Sequence, residues 1–183
     1  MKVGKTKRVL GLFLASSLLV LGVGCSKEPS EAGKTEAPNA GVNVPTLYQE
    51  GAEAYQAGKF TEAMDKFKAL AEQGDKQAQF NVGALYHHGE GVAQDDKQAA
   101  LWWAKAADQG HLDAMDSLGL RYAKGEGVEK DMVQAYKWFS IASLSKHASA
   151  ASNAKYAATQ LTPEQLDQAQ NLAKEWMVQH PKQ

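Results

Sequence analysis

An all-α array of stacked helical hairpins is the fold this sequence predicts, and three observations predict it. Residues 78–113 overlay residues 114–149 at a constant offset of 36 with no gap, and a period of that size marks a helical-hairpin repeat. Within each copy apolar residues recur at i, i+4 and i+8, the spacing of one helix face. Glycines and aspartates fall where those helices would stop and start.

The chain opens with a basic stretch, Lys2, Lys5, Lys7 and Arg8, followed by an apolar run from Val9 to Gly24. That run is short for a bilayer-spanning helix and suits the apolar region of an export signal. It ends Leu21-Gly22-Val23-Gly24-Cys25-Ser26, which resembles a bacterial lipoprotein signal. The resemblance implies cleavage before Cys25, acylation of its sulfur and of the new N-terminus, and membrane attachment through several acyl chains, since a single one holds only weakly. With Ser26 beside the cysteine it also implies sorting to the periplasmic face of a Gram-negative outer membrane. Residues 1–24 are thus read as a signal peptide and Cys25 as a lipid anchor. Without residues 1–24, 16 Lys+Arg stand against 21 Asp+Glu, a net charge of −5. A chain so charged lacks the clustered basic face that nucleic acid requires. Cys25 is the sole cysteine, so an internal disulfide and a thiolate metal cluster are both excluded.

Residues 25–44 contain Pro, Ser, Glu, Gly, Ala, Lys and Asn with few apolar side chains. Such a segment cannot bury enough surface to offset its ordering entropy and is predicted to be a disordered membrane tether, spanning roughly 25 Å on coil scaling.

Residues 45–183 are predicted to form the repeat domain. The first unit, residues 45–76, carries Gly51, Ala54, Gly58, Phe60, Ala63, Phe67, Leu70 and Gly74. It keeps the helix–turn–helix pattern but lacks the Gly-Glu-Gly-Val loop of the later units, a shorter form that resembles a tetratricopeptide unit. In the second unit, residues 77–112, Ala78, Val82 and Tyr86 mark the buried stripe of a first helix. Gly83 lies inside that helix, where a neighbouring helix is expected to approach too closely for a side chain. Gly89 and Gly91 end the helix, and Val92 is the apolar plug of the loop. Asp95 and Gln98 read as a capping box, and Ala99, Trp102, Trp103 and Ala106 as the stripe of a second helix. The third unit, residues 113–148, repeats this with Ala114, Gly119, Tyr122, Gly125, Gly127, Val128, Asp131, Gln134, Ala135, Trp138, Phe139 and Ala142. Residues 149–180 supply another first helix, over about Ala148–Thr159, and a closing helix to about Gln179. Thr162, Pro163 and Gln165 read as N-cap, first helical position and capping box of the latter. Leu166, Ala169, Leu172, Ala173 and Trp176 share one of its faces, which is expected to shield the open end of the stack.

The pattern Ala-x-x-x-[Val/Leu]-Gly-x-x-Tyr-x-x-Gly-x-Gly-Val-x-x-Asp-x-x-x-Ala-x-x-Trp resembles the Sel-one-like repeat, a relative of the tetratricopeptide repeat. The resemblance covers nearly all of Thr46–His180. It implies a right-handed α/α superhelix, adaptor roles, and a concave groove lined by the first helices.

Catalysis finds no support in the residues. His87-His88 is the only histidine pair, and adjacent helical residues face different directions, so joint metal chelation is not expected. His111 and His147 share a repeat position about 10 Å apart and are read as cations at second-helix C-termini. Motifs of serine hydrolases and phosphate-binding loops are absent, so no catalytic residue, metal or cofactor is assigned and the protein is not expected to be an enzyme. Binding is the better reading. Taking Gly51, Gly83 and Gly119 as one position aligns Tyr48 with Phe80 and Asp116, Tyr55 with His87, and Ala52 with Ala84 and Leu120. With Asp113, these residues are the expected groove wall, aromatic toward the N-terminal half and acidic near Asp113 and Asp116. Such a wall suits an extended peptide, a partner helix or a sugar ring; packing of the same aromatics between helices is the competing reading. Three functions follow in order: an envelope scaffold holding a protein or peptide, a factor that binds a glycan or assists exopolysaccharide secretion, and a β-lactam hydrolase. The last is implied only by cysteine-rich relatives, whose paired cysteines this chain lacks.

Overall fold

The computed structural model describes residues 44–144 and 148–181. The signal peptide, Cys25, the tether and His147 all lie outside the described residues. Eight helices follow in order: α1 (Val44–Gln56), α2 (Phe60–Glu72), α3 (Lys76–His88), α4 (Asp96–Asp108), α5 (Leu112–Lys124), α6 (Met132–Leu144), α7 (Ala148–Thr159) and α8 (Pro163–Gln179). Helix α1 begins at Val44, the last residue expected of the tether.

Pairs α1–α2, α3–α4 and α5–α6 are antiparallel hairpins, and each second helix also packs on the next first helix, making a helical-repeat solenoid. Alanine sets the close spacing: Ala78, Ala99, Ala106, Ala114, Ala135 and Ala142 are all 0% exposed. Larger side chains fill the layers between them, notably Leu70, Val82, Leu85, Met115, Leu118 and Phe139. The glycine of each first helix receives an aromatic ring from its own second helix. A Cβ added at Gly51 would lie 3.0 Å from Phe67, and one at Gly83 or Gly119 only 2.6 Å from Trp103 or Phe139. The partner is 16 residues on in the first unit and 20 in the others, because the first unit lacks the four-residue loop insertion.

That insertion fixes one unit upon another. Gly91 lies against the Phe60 carbonyl at the start of α2, and Gly127 against the Asp96 carbonyl at the start of α4, both at positive φ. A side chain at either place would collide with backbone of the preceding unit. The capping boxes expected after this loop are only half made. Asp95 accepts from the N–H groups of Lys97 and Gln98, and Asp131 from those of Val133 and Gln134. The N–H groups of Asp95 and Asp131 themselves donate to the carbonyls of Tyr86 and Tyr122, so Gln98 and Gln134 have no donor left to accept from. Thr162 and Gln165 do form the full box, with Pro163 at the first helical position.

Helix α8 takes α6 as its main helical neighbour rather than pairing with α7. Ala169 and Ala173 are buried, and the Trp176 ring meets Trp138 edge-on at 6.0 Å.

Candidate functional site

The expected groove residues are placed mainly between consecutive units. Tyr48 packs on Phe67 at 5.4 Å, and its hydroxyl accepts from Asn81 Nδ2 at 3.1 Å; burial pushes its phenol pKa up. Phe80 stacks on His111 at 4.6 Å and 17°, while its carbonyl accepts from Trp103 Nε1. Asp116 accepts from Ser149 Oγ and Asn153 Nδ2, joining α5 to α7. Each of these three, the residue three before the helix glycine, thus ties its own first helix to the next unit.

Of the residues four after the glycine, Tyr55 reaches the next unit and His87 bonds within its own. Tyr55 Oη donates to Glu90 Oε2 at 3.0 Å, and burial together with that carboxylate pushes its pKa up to about 12. His87 Nδ1 lies 2.7 Å from Asp96 Oδ1, a contact that requires a proton on Nδ1. Arg121 Nη1, 3.1 Å from the same nitrogen, therefore has no lone pair to donate to there. It pairs with Glu126 at 2.8 Å, with Asp96 3.8 Å away. Ala52 and Ala84 are each 6% exposed and belong to the core, out of a partner's reach. Leu120 is partly buried against the cluster formed by Ala135, Phe139, Ala154 and Ala157. Asp113 alone of the nine is exposed.

Two features escaped sequence reasoning. Arg121 is 5% exposed, with its guanidinium 5.6 Å from the Trp103 ring. The signal was present: the equivalent residue one repeat earlier is Leu85, 1% exposed, so an arginine at a core position called for a carboxylate nearby. The second is a cleft of about 430 Å³ formed where α4 turns into α5, with the C-terminal end of α8 beside it. Among the described residues no group of three His, Cys, Asp or Glu side chains is placed to hold a metal.

His111 corrects an expectation. Gly110, at φ +82°, ends α4, so His111 is the N-cap of α5 rather than a cation on the preceding helix. Its Nδ1 accepts from the Ala114 N–H at 3.2 Å and its Nε2–H donates to Gln77 at 3.0 Å. Only the neutral ring can do both, and burial lowers its pKa accordingly. Since the folded ring resists protonation, the unfolded chain takes up this proton first as pH falls below about 6.5. The stability His111 contributes is therefore full above that pH and lost below it, by at most about 1.4 kcal/mol per pH unit. His111→Asn keeps a capping side chain and should reduce the loss of stability between pH 7.5 and 5, measured by urea denaturation. An unchanged pH dependence would contradict this assignment.

A family model for the Sel1 repeat matches residues 76–111 and 112–147, one residue ahead of the units set out above. A protective antigen of uropathogenic Escherichia coli with an SLR fold is 35% identical, with a TM-score of 0.70 over 74% of this chain and 30% of its own. A Sel1 repeat protein from Oxalobacter formigenes is also 35% identical, with a TM-score of 0.58 over 70% of this chain and 55% of its own. Over 86 residues, 44% of this chain, the sequence is 31% identical to an exopolysaccharide production negative regulator of Rhizobium meliloti (strain 1021), 32% of which is covered. The chain thus spans about a third of the length of the antigen and of the regulator. This chain therefore carries two Sel1 repeats, and the hairpin stack they build resembles that of Sel1-repeat proteins.

Proposed function

We propose that this chain is a lipid-anchored scaffold of the cell envelope that holds a protein or peptide partner. Sel1 repeat proteins generally mediate protein–protein interaction. The observation that supports this reading here is how the recurring residues are used. Gly83 and Gly119 admit rings, Asp95 and Asp131 cap helices, and Gly91 and Gly127 seat one unit on another, so these repeated residues serve to build the stack. An array built this way offers surface, and surface binds. Acylated Cys25 would hold that surface near the membrane, on the periplasmic side of the outer membrane. A second reading, a role in exopolysaccharide production, draws on the 31% identity with the regulator named above.

A photoreactive side chain in place of exposed Asp113 should give discrete protein adducts in intact cells, and excess unlabelled domain should compete them away in isolated envelopes. Adducts only to polysaccharide would favour the second reading, and none of either kind would end both. Cys25→Ser should move the protein from the membrane fraction to the soluble one; retention on the membrane would end the anchor reading.

A further inference from the structure

The residue that opens a first helix changes in kind from one unit to the next. Asp75 and His111, 36 residues apart, hold the same repeat position. Each accepts the N–H three residues on, Asp75 from Ala78 at 2.7 Å and His111 Nδ1 from Ala114 at 3.2 Å. An aspartate cap goes on accepting through the neutral and mildly acidic range. A histidine cap accepts only while its ring is neutral.

The same ring joins two units. It is 8% exposed, stacks on Phe80 of α3 at 4.6 Å and 17°, and donates from Nε2 to Gln77 of α3 at 3.0 Å. A second proton, on Nδ1, would meet the Ala114 N–H donor to donor and would set a cation at the positive end of the α5 dipole. Flipping the ring in its own plane would move Nε2 off Gln77, and swinging it outward would lose Phe80 as well. Cap and tie therefore weaken together.

The surrounding charges do not offset this. Burial is the largest influence and holds the ring below the ordinary imidazole pKa; Asp113 of α5 and Asp75 before α3 pull the other way, and Lys76 of α3 adds to the lowering. At the end of α4, Lys105 lies over the Trp102 ring, and Asp108 acts on Lys137 and Tyr122. The junction one unit earlier is tied by Tyr48 to Asn81 and by Tyr55 to Glu90, bonds in which no histidine takes part.

We infer that the contact between α3 and the first turn of α5 is an acid-sensitive joint, which opens locally on protonation of His111 while the start of α3, capped by Asp75, stays closed. The opened form binds the proton near the ordinary histidine pKa of about 6.5, so each pH unit below that raises the open population by up to about tenfold. The stack thus has a pH-dependent break at one junction and not at the one before it.

The test is amide hydrogen exchange on the full chain, followed by NMR at pH 7.5 and 5.5 and corrected for the intrinsic pH dependence of exchange. Ala114 and Met115 donate to the side chain and the carbonyl of His111, as Ala78 and Gln79 do to those of Asp75. From pH 7.5 to 5.5 the opening equilibrium at Ala114 and Met115 should rise about three- to tenfold, and at Ala78 and Gln79 less than about twofold. His111→Asn should abolish the rise with His87, at the other end of the junction, unchanged. His111→Asp, which copies the cap of α3 onto α5, serves the same purpose if His111→Asn does not fold. No rise at Ala114 and Met115, or a rise that survives in a folded His111 variant, would overturn the joint. An equal rise at all four amides would overturn it too, because acid would then loosen the whole array rather than one junction.

Discussion

Gly127→Ala should destabilise the protein by about 3 kcal/mol or more, and Gly91→Ala, in the same setting one repeat earlier, by a similar amount. Two costs combine there. Gly127 has φ +76°, a left-handed conformation that costs an L-residue with a Cβ about 1–2 kcal/mol. The new Cβ would also fall within van der Waals contact of the Asp96 carbonyl and its carbon, backbone at the first turn of α4 that has no rotamer by which to yield. Relief therefore requires the third unit to move away from the second, opening the alanine-lined interface around Ala99, Ala106 and Ala114. Gly110→Ala separates the two costs. Its φ is +82°, yet nothing lies within 4 Å of the added Cβ, so only the conformational cost of about 1–2 kcal/mol should appear. Urea unfolding of both variants tests the pair. Equal losses would mean that Gly127 is chosen for its backbone angle and that the loop does not seat the units.

That contrast shows what was legible in the sequence. The period and the glycines within first helices could be read because the chain repeats them in order, and the bounds of α7 and α8 and the Thr162 cap because each is a local signal, fixed by residues within a turn or two. The identity of a side chain's neighbour is not local. Periodicity placed Tyr48, Phe80 and Asp116 on one face of their helices, but whether that face meets solvent or the next unit depends on how closely units stack. Here Gly91 and Gly127 bring them close enough for Asn81 and His111 to be reached, and α7 stands close enough to α5 for Asn153 to reach Asp116. His111 was misread because Gly110, one residue earlier, divides the chain between two helices, and an N-cap and a C-terminal cation differ by that single residue. The cleft could not be read at all. Its lining comes from α3, α4, α5, α6 and α8, residues 76 to 181, and it exists because α8 returns across α6, a packing choice that no capping motif encodes.

Trp103→Ala should cost about 3–5 kcal/mol, the range for removing a large buried aromatic side chain. Three separate structural roles converge on this ring. It fills the notch left by Gly83, its Nε1 donates to the Phe80 carbonyl at 3.2 Å, and its face lies 5.6 Å from the Arg121 guanidinium. Arg121 is 5% exposed, so loss of the ring leaves a buried cation with less cover, though Glu126 still pairs with it. The notch can be tested from its other side. Gly83→Ala would push a methyl to 2.6 Å from a ring that is 4% exposed and held by its hydrogen bond, an overpacking cost of about 1–3 kcal/mol. If the glycine exists to admit the ring, the two changes must be coupled. In the background of Trp103→Leu, a smaller and more adaptable side chain, Gly83→Ala should cost much less than it does alone. Coupling of about 1 kcal/mol or more in the double-mutant cycle is expected, well above the additivity error for independent sites. Strict additivity would mean that Gly83 is required by its backbone and not by its neighbour. The same cycle on Gly119 and Phe139, 36 residues on, should give a coupling of the same sign, because the repeat copies the notch and the ring together.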